Sequence, residues 1–261
     1  MRYGGVFFCI GTVTLYRVHQ WKKKRKGGEG EDQQPIDGIV FGETGVNFAY
    51  ELGITHYMQE HFHLLGYKTA GISGGCQCAF LVVNDLCAKY YFEEFVLKVF
   101  EQKEGVTYQN IFDVSEHHLR KLYTNKCRLH HMRNKLYICV TNMFPYMHNV
   151  NAHNFKSHSE LFAMMKSSQC IPFVFGYPYI VWNQQYWVDG FFTSFMYRPT
   201  CGNWIFIKSY HFSVYYYITG FLLFHKLFEK SYHEKLFKQG YIDAQRKHGR
   251  FVRLGFIEKN S

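Results

Sequence analysis

The chain alternates between short apolar runs and longer segments in which apolar residues recur at helical spacing. Between 48 and 65, apolar side chains return every three or four residues, which is typical of a helix with one buried face. The same spacing predicts helices after residue 73, near 89–103 and 115–123, and over 158–168. The pattern therefore predicts several amphipathic helices, separated by the apolar runs.

Five short runs have the apolar and β-branched composition of buried strands. These runs are Ile36–Phe41, Lys68–Ile72, Leu136–Val140, Tyr186–Val188 and Trp204–Ile207. Strands that alternate with helices along a chain build a sheet with helices on both faces. The order of elements predicts an α/β protein with a three-layer α/β/α fold around a mostly parallel central sheet.

Two further apolar stretches, 3–16 and 212–224, are shorter than the ~20 residues that a membrane-spanning helix needs. The second predicts a buried core helix, with a surface that dips into lipid as the alternative. The first precedes a basic run at 22–26. It indicates either a frayed or docked N-terminal arm or a membrane anchor, with the basic run on the cytosolic side. Residues 1–35 are thus an arm, a basic run and a linker, and 36–261 form the folded domain.

The net charge of +10 is concentrated near the two ends of the chain. Residues 17–26 contain six basic and no acidic residues, and residues 225–253 contain eight basic and three acidic ones. Basic ends beside apolar runs suit an anionic membrane surface, and the sequence has no RNA- or DNA-binding motif. Eight cysteines without a CxxC pair indicate a reducing, intracellular compartment.

A candidate nucleophile lies in Gly71-Ile72-Ser73-Gly74-Gly75, between a predicted strand and a predicted helix. A serine on such a tight turn exposes its hydroxyl, and the flanking glycines avoid crowding the turn. The N-terminus of the following helix also offers free N–H groups and a positive dipole end to a developing oxyanion.

A serine nucleophile needs a proton acceptor, and the candidate is Asp189 in Trp187-Val188-Asp189-Gly190, at the end of a predicted strand. A Ser-His-Asp triad is the competing arrangement, and its histidine would follow the acid in sequence. The candidates for it are His211, His225, His233 and His248. Three further pairs of histidines are close in sequence: His61 and His63, His117 and His118, and His130 and His131. None has a carboxylate or cysteine partner at the spacing of metal ligands, so no metal site is expected.

Several of these segments resemble motifs of the patatin-like phospholipase family. Gly71–Gly75 is similar to its nucleophile motif, and Trp187–Phe191 to its Asp-Gly-Gly motif, with Phe191 in place of the second glycine. Three further landmarks follow the family order: the glycine-containing segment 45–54, Ser167–Pro172, and Gln239–Ala244, which resembles a helix start in the animal triglyceride-lipase branch.

The resemblance implies a Ser-Asp dyad, in which Ser73 attacks an ester carbonyl and Asp189 is the base, without a cofactor. It also implies an oxyanion hole formed by Gly45, Val46 and Gly74. The segment 43–48, here called the oxyanion loop, departs from the glycine-rich family pattern and keeps only Gly45. Phe48 would be strained if its position required a positive φ angle.

The expected function is therefore hydrolysis of acyl esters of membrane lipids, on the cytosolic face of a membrane. The alternative is a patatin-fold protein that binds lipid but is catalytically impaired by the altered oxyanion loop. The sequence leaves open whether phospholipid or triacylglycerol is preferred, and it indicates no protein partner.

Overall fold

The computed structural model describes residues 35–101, 106–107, 110–123, 129–196 and 202–259. Within this part of the chain, seven strands form one sheet with the order β5-β6-β3-β2-β1-β7, and β4 pairs with β3. The strands are β1 Gly38–Phe41, β2 Lys68–Ile72, β3 Leu136–Asn142, β4 His148–Ala152, β5 Ile180–Trp182, β6 Gln185–Asp189 and β7 Trp204–Ile207.

Strands β7, β1, β2 and β3 run parallel to one another at the centre of the fold. Strands β4 and β6 pair antiparallel with β3, and β5 pairs antiparallel with β6. Every residue of β3 is buried, as expected of a strand that is covered on both faces. The predicted α/β fold is confirmed: a mixed sheet with a parallel centre and helices packed on it, consistent with three α/β/α layers.

The described residues also form three 3₁₀ turns, Gly45–Asn47, Gly190–Met196 and Phe224–Lys226, and a π-helical turn, Phe92–Val96. The α-helices are given next in chain order. They are α1 Phe48–His61, α2 Gly75–Val83, α3 Ala88–Tyr91, α4 Leu97–Glu101, α5 Ile111–Tyr123, α6 Leu129–Met132, α7 His158–Ser168, α8 Ser209–Phe212, α9 Val214–Leu222, α10 Lys230–Arg246 and α11 His248–Arg253.

Helix α1 is buried on all sides along most of its length, as is usual for a central helix. It packs closely against α10 at two glycines. A Cβ on Gly53 would lie 2.1 Å from the carbonyl oxygen of Phe237, and one on Gly240 would lie 2.0 Å from that of Tyr50. The two landmarks that contain Gly53 and Gly240 are therefore brought together where these helices cross.

The sheet divides the apolar core into two clusters. Ile39 and Phe41 of β1 point into the larger cluster, which includes residues of α1, α2 and α7. Val40 points to the opposite face, into a smaller cluster with Ala70 and Tyr137. This alternation follows from the two-residue period of a strand. The four described cysteines of the buried interior, Cys76, Cys78, Cys139 and Cys170, are free thiols.

Most predicted elements have their expected type, and the differences concern extent. The helix predicted over 48–65 ends at His61, and the one near 89–103 is interrupted by the π-helical turn. Strands β4 and β5 were not predicted from the pattern. The prediction of a buried core helix over 212–224 is corrected. This stretch contains the end of α8 and all of α9, and only one face of it is buried. Tyr217 is fully buried, whereas 64% of Tyr215 is exposed.

No helix in the described ranges has both the length and the apolar character to cross a bilayer. The predicted apolar arm and basic run lie in residues 1–34, outside the described residues. The first described strand, β1, begins two residues after the start of the predicted folded domain at Ile36.

Candidate functional site

Ser73 occupies the turn between β2 and α2 with a φ angle of +54°, in the left-handed region that is rare for residues with a side chain. The turn is tight. A Cβ on Gly71 would lie 2.2 Å from the Cα of Cys76, and one on Gly75 would lie 2.3 Å from the carbonyl oxygen of Gly42. Both glycines are thus required by close backbone contacts, as expected of a strand–turn–helix that presents a nucleophile.

The hydroxyl Oγ of Ser73 donates a hydrogen bond of 2.8 Å to Oδ2 of Asp189. Strand β3 brings the two residues together through its register. Ile72 at the end of β2 is opposite Cys139, and Asp189 at the end of β6 is opposite Val140, the next residue of β3. Two residues 116 positions apart in sequence are therefore neighbours in the fold.

Asp189 is completely buried, and its carboxylate is oriented by the backbone. The N–H of Phe191 donates to Oδ1 over 2.8 Å, which leaves Oδ2 facing Ser73. Gly190 fits between these residues because it lacks a side chain, since a Cβ there would lie 2.2 Å from the carbonyl oxygen of Cys139. Phe191, at the position of the second family glycine, packs into the core.

The segment after α7 connects the serine and the aspartate. Ser168 Oγ accepts a hydrogen bond from the N–H of Ser73 over 3.0 Å and donates to the carbonyl oxygen of Cys139 over 2.7 Å. The carbonyl oxygen of Cys170 accepts from the N–H of Asp189 over 2.9 Å. Sequence reasoning placed the segment between the two motifs but gave Ser168 no role, because a contact across 95 residues leaves no local pattern.

Gly45, Val46 and Gly74, the three predicted oxyanion donors, line the same cavity as Ser73. Gly45 has a φ angle of +57°, so the one glycine of the oxyanion loop is at a position whose backbone favours glycine. Among the described residues, the backbone N–H groups of Gly45, Val46 and Gly74 have no acceptor. They are therefore candidate donors to a ligand in the cavity.

Phe48 does not carry the strain considered from the sequence. Its φ angle is −58° and its ψ angle is −30°, since it is already the first residue of α1. Its side chain lines the cavity beside Ser73. A phenylalanine at this point of the loop therefore has no cost in backbone strain.

The cavity above Ser73 has a volume of about 90 Å³ and a mostly apolar lining. Its walls include rings and aliphatic side chains from three helical segments: Phe48, Phe95, Val99, Phe100, Phe162 and Met165. Four polar side chains, Gln77, Glu116, Lys166 and Gln169, also line it. A cleft with an apolar lining and a few polar groups near a nucleophile is suited to an acyl chain attached to a polar ester.

No histidine of the described residues forms a hydrogen bond with Ser73. His233 lies behind the cavity wall, where its Nε2 bonds to the carbonyl oxygen of Leu227 over 2.7 Å and its ring stacks on Phe100. His248 lies between Tyr57 Oη and Glu258 Oε1, and His225 is exposed. The geometry at Ser73 is thus that of a direct serine–carboxylate pair.

Burial lowers the pKa of two of the triad candidates. Burial is the main reason that the pKa of His211 falls to about 3, and nearby cations such as Arg250 lower this pKa further. Burial also lowers the pKa of His233 to about 4. Both imidazoles are therefore neutral at pH 7. Within the described ranges, no group of three or more His, Cys, Asp or Glu side chains is arranged to hold a metal ion.

No family model matches the chain, and no curated protein is significantly similar to it. A proposal about function therefore rests on the geometry around Ser73.

Proposed function

We propose that the chain is a serine acyl hydrolase that cleaves acyl esters of membrane lipids, with Ser73 as nucleophile and Asp189 as base. The observation that supports this most directly is the 2.8 Å hydrogen bond from Ser73 Oγ to Asp189 Oδ2. A serine hydroxyl is a weak nucleophile at neutral pH, and an adjacent base is the feature that activates it.

The reaction begins when Ser73 Oγ attacks the carbonyl carbon of the ester and its proton passes to Asp189 Oδ2. The carbonyl oxygen becomes an oxyanion, which the N–H groups of Gly45, Val46 and Gly74 stabilise as hydrogen-bond donors. The ester C–O bond then breaks, and the leaving alcohol takes the proton from Asp189. A water molecule attacks the acyl-serine with Asp189 again as base, which releases the fatty acid and restores Ser73.

The buried, low-dielectric surroundings strengthen each of these interactions relative to water. The helix α2 begins two residues after Ser73, so its positive end lies beside the developing negative charge. The cavity lined by Phe48, Phe100 and Phe162 would take the acyl chain. This arrangement also favours membership of the patatin-like family, whose motifs the segments around Ser73 and Asp189 resemble.

The proposed site of action is the cytosolic face of a membrane inside the cell. The basic run at 22–26 and the apolar arm before it favour contact with an anionic lipid surface. The mechanism needs no metal or organic cofactor, since the chain's own side chains and backbone supply the nucleophile, the base and the oxyanion donors.

A fluorophosphonate probe tests the assignment, because it reacts covalently with activated serines. We expect the probe to label the wild-type chain and Ser209→Ala but not Ser73→Ala. Ser209 is a matched control, since it is also a buried serine but does not line the cavity. Equal labelling of the wild type and Ser73→Ala would overturn the assignment. A folded wild type that is not labelled would favour the impaired lipid-binding alternative.

A further inference from the structure

The oxyanion loop is attached to the rest of the protein through its own side chains. Glu43, Thr44 and Asn47 are fully buried. Neither Glu43 nor Asn47 is among the residues that line the cavity, so both point away from the substrate space. The oxyanion loop, whose only glycine is Gly45, carries polar side chains that bond to a neighbouring helix, α9.

Asn47 uses both ends of its amide. Its Nδ2 donates to the carbonyl oxygen of Tyr216 over 2.6 Å and to Thr219 Oγ1 over 3.0 Å. Its Oδ1 accepts from the hydroxyl of Tyr232 over 2.8 Å. Two of these partners belong to α9 and one to α10, so the end of the loop is fixed from two directions.

Glu43, at the start of the loop, is bound to the same helix. Its Oε1 accepts a hydrogen bond of 3.0 Å from the hydroxyl of Tyr217, and its Oε2 lies 3.4 Å from Lys208 Nζ. Tyr217 and Glu43 are both completely buried, so water does not compete for the hydrogen bond between them. Removing the Tyr217 hydroxyl takes one hydrogen-bond donor away from a buried carboxylate, which is costly.

The backbone of the loop also touches α9 directly. Gly220 is the contact point, since a Cβ at this position would lie 2.2 Å from the carbonyl oxygen of Thr44. The helix therefore approaches the loop without an intervening side chain. The contacts of Glu43, Thr44 and Asn47 surround Gly45 and Val46, whose N–H groups are the donors assigned to the oxyanion.

We infer that α9 is the support that positions the oxyanion loop, with Tyr217 and Thr219 as positioning residues that act through Glu43 and Asn47. This inference rests on the proposed function, because it assigns a catalytic purpose to the loop. Stabilisation of an oxyanion depends on donors that are fixed before the reaction starts. Here side-chain contacts on the far side of the loop fix the donors, where glycines alone would leave the backbone free.

Two pairs of variants test the inference. Tyr217→Phe removes the hydrogen bond to Glu43 and keeps the ring, and Tyr50→Phe is its matched control. Tyr50 is also fully buried and donates to a carboxylate, Asp243, over 2.8 Å, but outside the loop. Thr219→Val removes the oxygen that accepts from Asn47, and Thr219→Ser keeps it.

With a soluble p-nitrophenyl ester, we expect kcat to fall about 10-fold in Tyr217→Phe and in Thr219→Val, with KM changed less than about 2-fold. Loss of a whole oxyanion donor costs about 10²–10³ in kcat, and displacement of a donor costs less. Thr219→Ser and Tyr50→Phe should keep the kcat of the wild type, even where Tyr50→Phe lowers the Tm as much as Tyr217→Phe. A fall in kcat that follows the Tm in all four variants would overturn the inference.

Hydrogen exchange of the backbone amides at 43–48 provides a second measurement that does not need activity. We expect exchange in this segment to accelerate in Tyr217→Phe and Thr219→Val and to stay unchanged in the two controls. Suppose that the fluorophosphonate probe labels Ser73 of the wild type but that Tyr217→Phe and Thr219→Val change neither kcat nor exchange. The inference then fails and the proposed function stands. If the wild type is inactive, unchanged exchange at 43–48 still refutes the support by α9.

Discussion

Asp189 binds a different partner with each of its carboxylate oxygens. Oδ1 accepts from the N–H of Phe191, and Oδ2 accepts from Ser73 Oγ. The backbone contact sets the orientation, so the second oxygen meets the serine without a histidine between them. An asparagine at this position would keep an oxygen for Phe191 but would present an NH₂ group to Ser73, and an NH₂ group cannot accept a proton.

We therefore predict that Asp189→Asn lowers kcat on a p-nitrophenyl ester by about 10²–10⁴, the usual contribution of general-base catalysis. The fold should be preserved, as measured by circular dichroism and thermal unfolding. Single changes of His211, His225, His233 or His248 to Gln should leave most of the turnover. One folded histidine variant as inactive as Ser73→Ala would contradict the direct serine–carboxylate pair.

His233 is a buried group whose titration affects stability. Its Nε2 bonds to the carbonyl oxygen of Leu227, whereas its Nδ1 is buried and has no hydrogen-bond partner among the described residues. Burial lowers its pKa from 6.5 to about 4. The unfolded chain therefore binds a proton at a higher pH than the native one, so the stabilising contribution is present above pH 6.5 and is lost as the pH falls towards 4.

Between pH 7 and pH 5 this group should lower the free energy of unfolding by about 2 kcal/mol. Urea unfolding at the two pH values measures the difference. His233→Gln keeps an NH₂ donor for the carbonyl oxygen of Leu227 but has no titrating group at this position. The free energy of unfolding of this variant should therefore fall by about 2 kcal/mol less than that of the wild type between pH 7 and pH 5. The prediction would be wrong if wild type and His233→Gln lost the same free energy on acidification.

At the scale of elements, the hydrophobic pattern predicted those whose apolar residues are continuous or periodic. Strands Lys68–Ile72 and Trp204–Ile207 and helix His158–Ser168 have their predicted bounds. Strand β4 could not be predicted, because His148–Ala152 is mostly polar and becomes a strand by pairing with β3. Strand β5 has only three residues, too few to establish an alternation.

The candidate site was predictable to the extent that its residues belong to short motifs. Ser73 and Asp189 stand out as parts of a strand–turn–helix and a strand end. The support of the oxyanion loop by α9 could not be predicted, since Asn47 and Thr219 are 172 residues apart and no local pattern links them. Long-range hydrogen bonds between ordinary polar residues leave no trace in local sequence.

The helical segment 88–101 forms one wall of the cavity and should determine the length of acyl chain that fits. Val99 on α4 lines the cavity and is 3% exposed. A tryptophan at this position would occupy space that part of an acyl chain otherwise fills. Each methylene that stays in water costs about 0.8 kcal/mol of binding free energy, so four of them amount to about 3 kcal/mol.

Val99→Trp should therefore lower kcat/KM for a dodecanoyl ester on the order of 100-fold. The acetyl ester should be hydrolysed within about 3-fold of the wild-type rate, which also shows that the variant is folded. Val99→Ala provides the matched variant and should keep the preference for the long chain. Equal loss on both esters in Val99→Trp would mean that this wall does not contact the acyl chain.

At the scale of the whole molecule, several basic side chains of the C-terminal segment 225–253 are engaged by other groups of the fold. In the C-terminal part, Lys226 pairs with Glu229 over 2.6 Å, and Lys230 pairs with Glu101 and Glu234. Lys247 Nζ donates to the carbonyl oxygens of His211 and Phe212. The ion pairs reduce the positive charge that this end presents to an anionic surface. The run at 22–26 has five adjacent basic residues and no acidic one, so its sequence makes it the denser cluster of positive charge.

We predict that deletion of residues 1–34 weakens co-sedimentation with vesicles of phosphatidylcholine and phosphatidylserine. Each basic residue near an anionic surface contributes about 1 kcal/mol, and the deletion removes the cluster at 17–26. Hydrolysis of a soluble short-chain ester should be unaffected, because every residue of the proposed site lies beyond residue 41. Binding of the full chain should also weaken as salt rises, since the Debye length shortens to about 8 Å at physiological ionic strength.

A variant in which Lys22, Lys23, Lys24, Arg25 and Lys26 are changed to Gln separates the charges from the apolar arm at 3–16. If charge dominates, this variant should sediment as weakly as the deletion, and vesicles of phosphatidylcholine alone should bind all three proteins equally poorly. If the apolar arm inserts, the glutamine variant should still bind both kinds of vesicle, with little dependence on salt. Unchanged sedimentation of the deletion at low and at physiological salt would exclude both contributions and place the lipid contact on the folded domain.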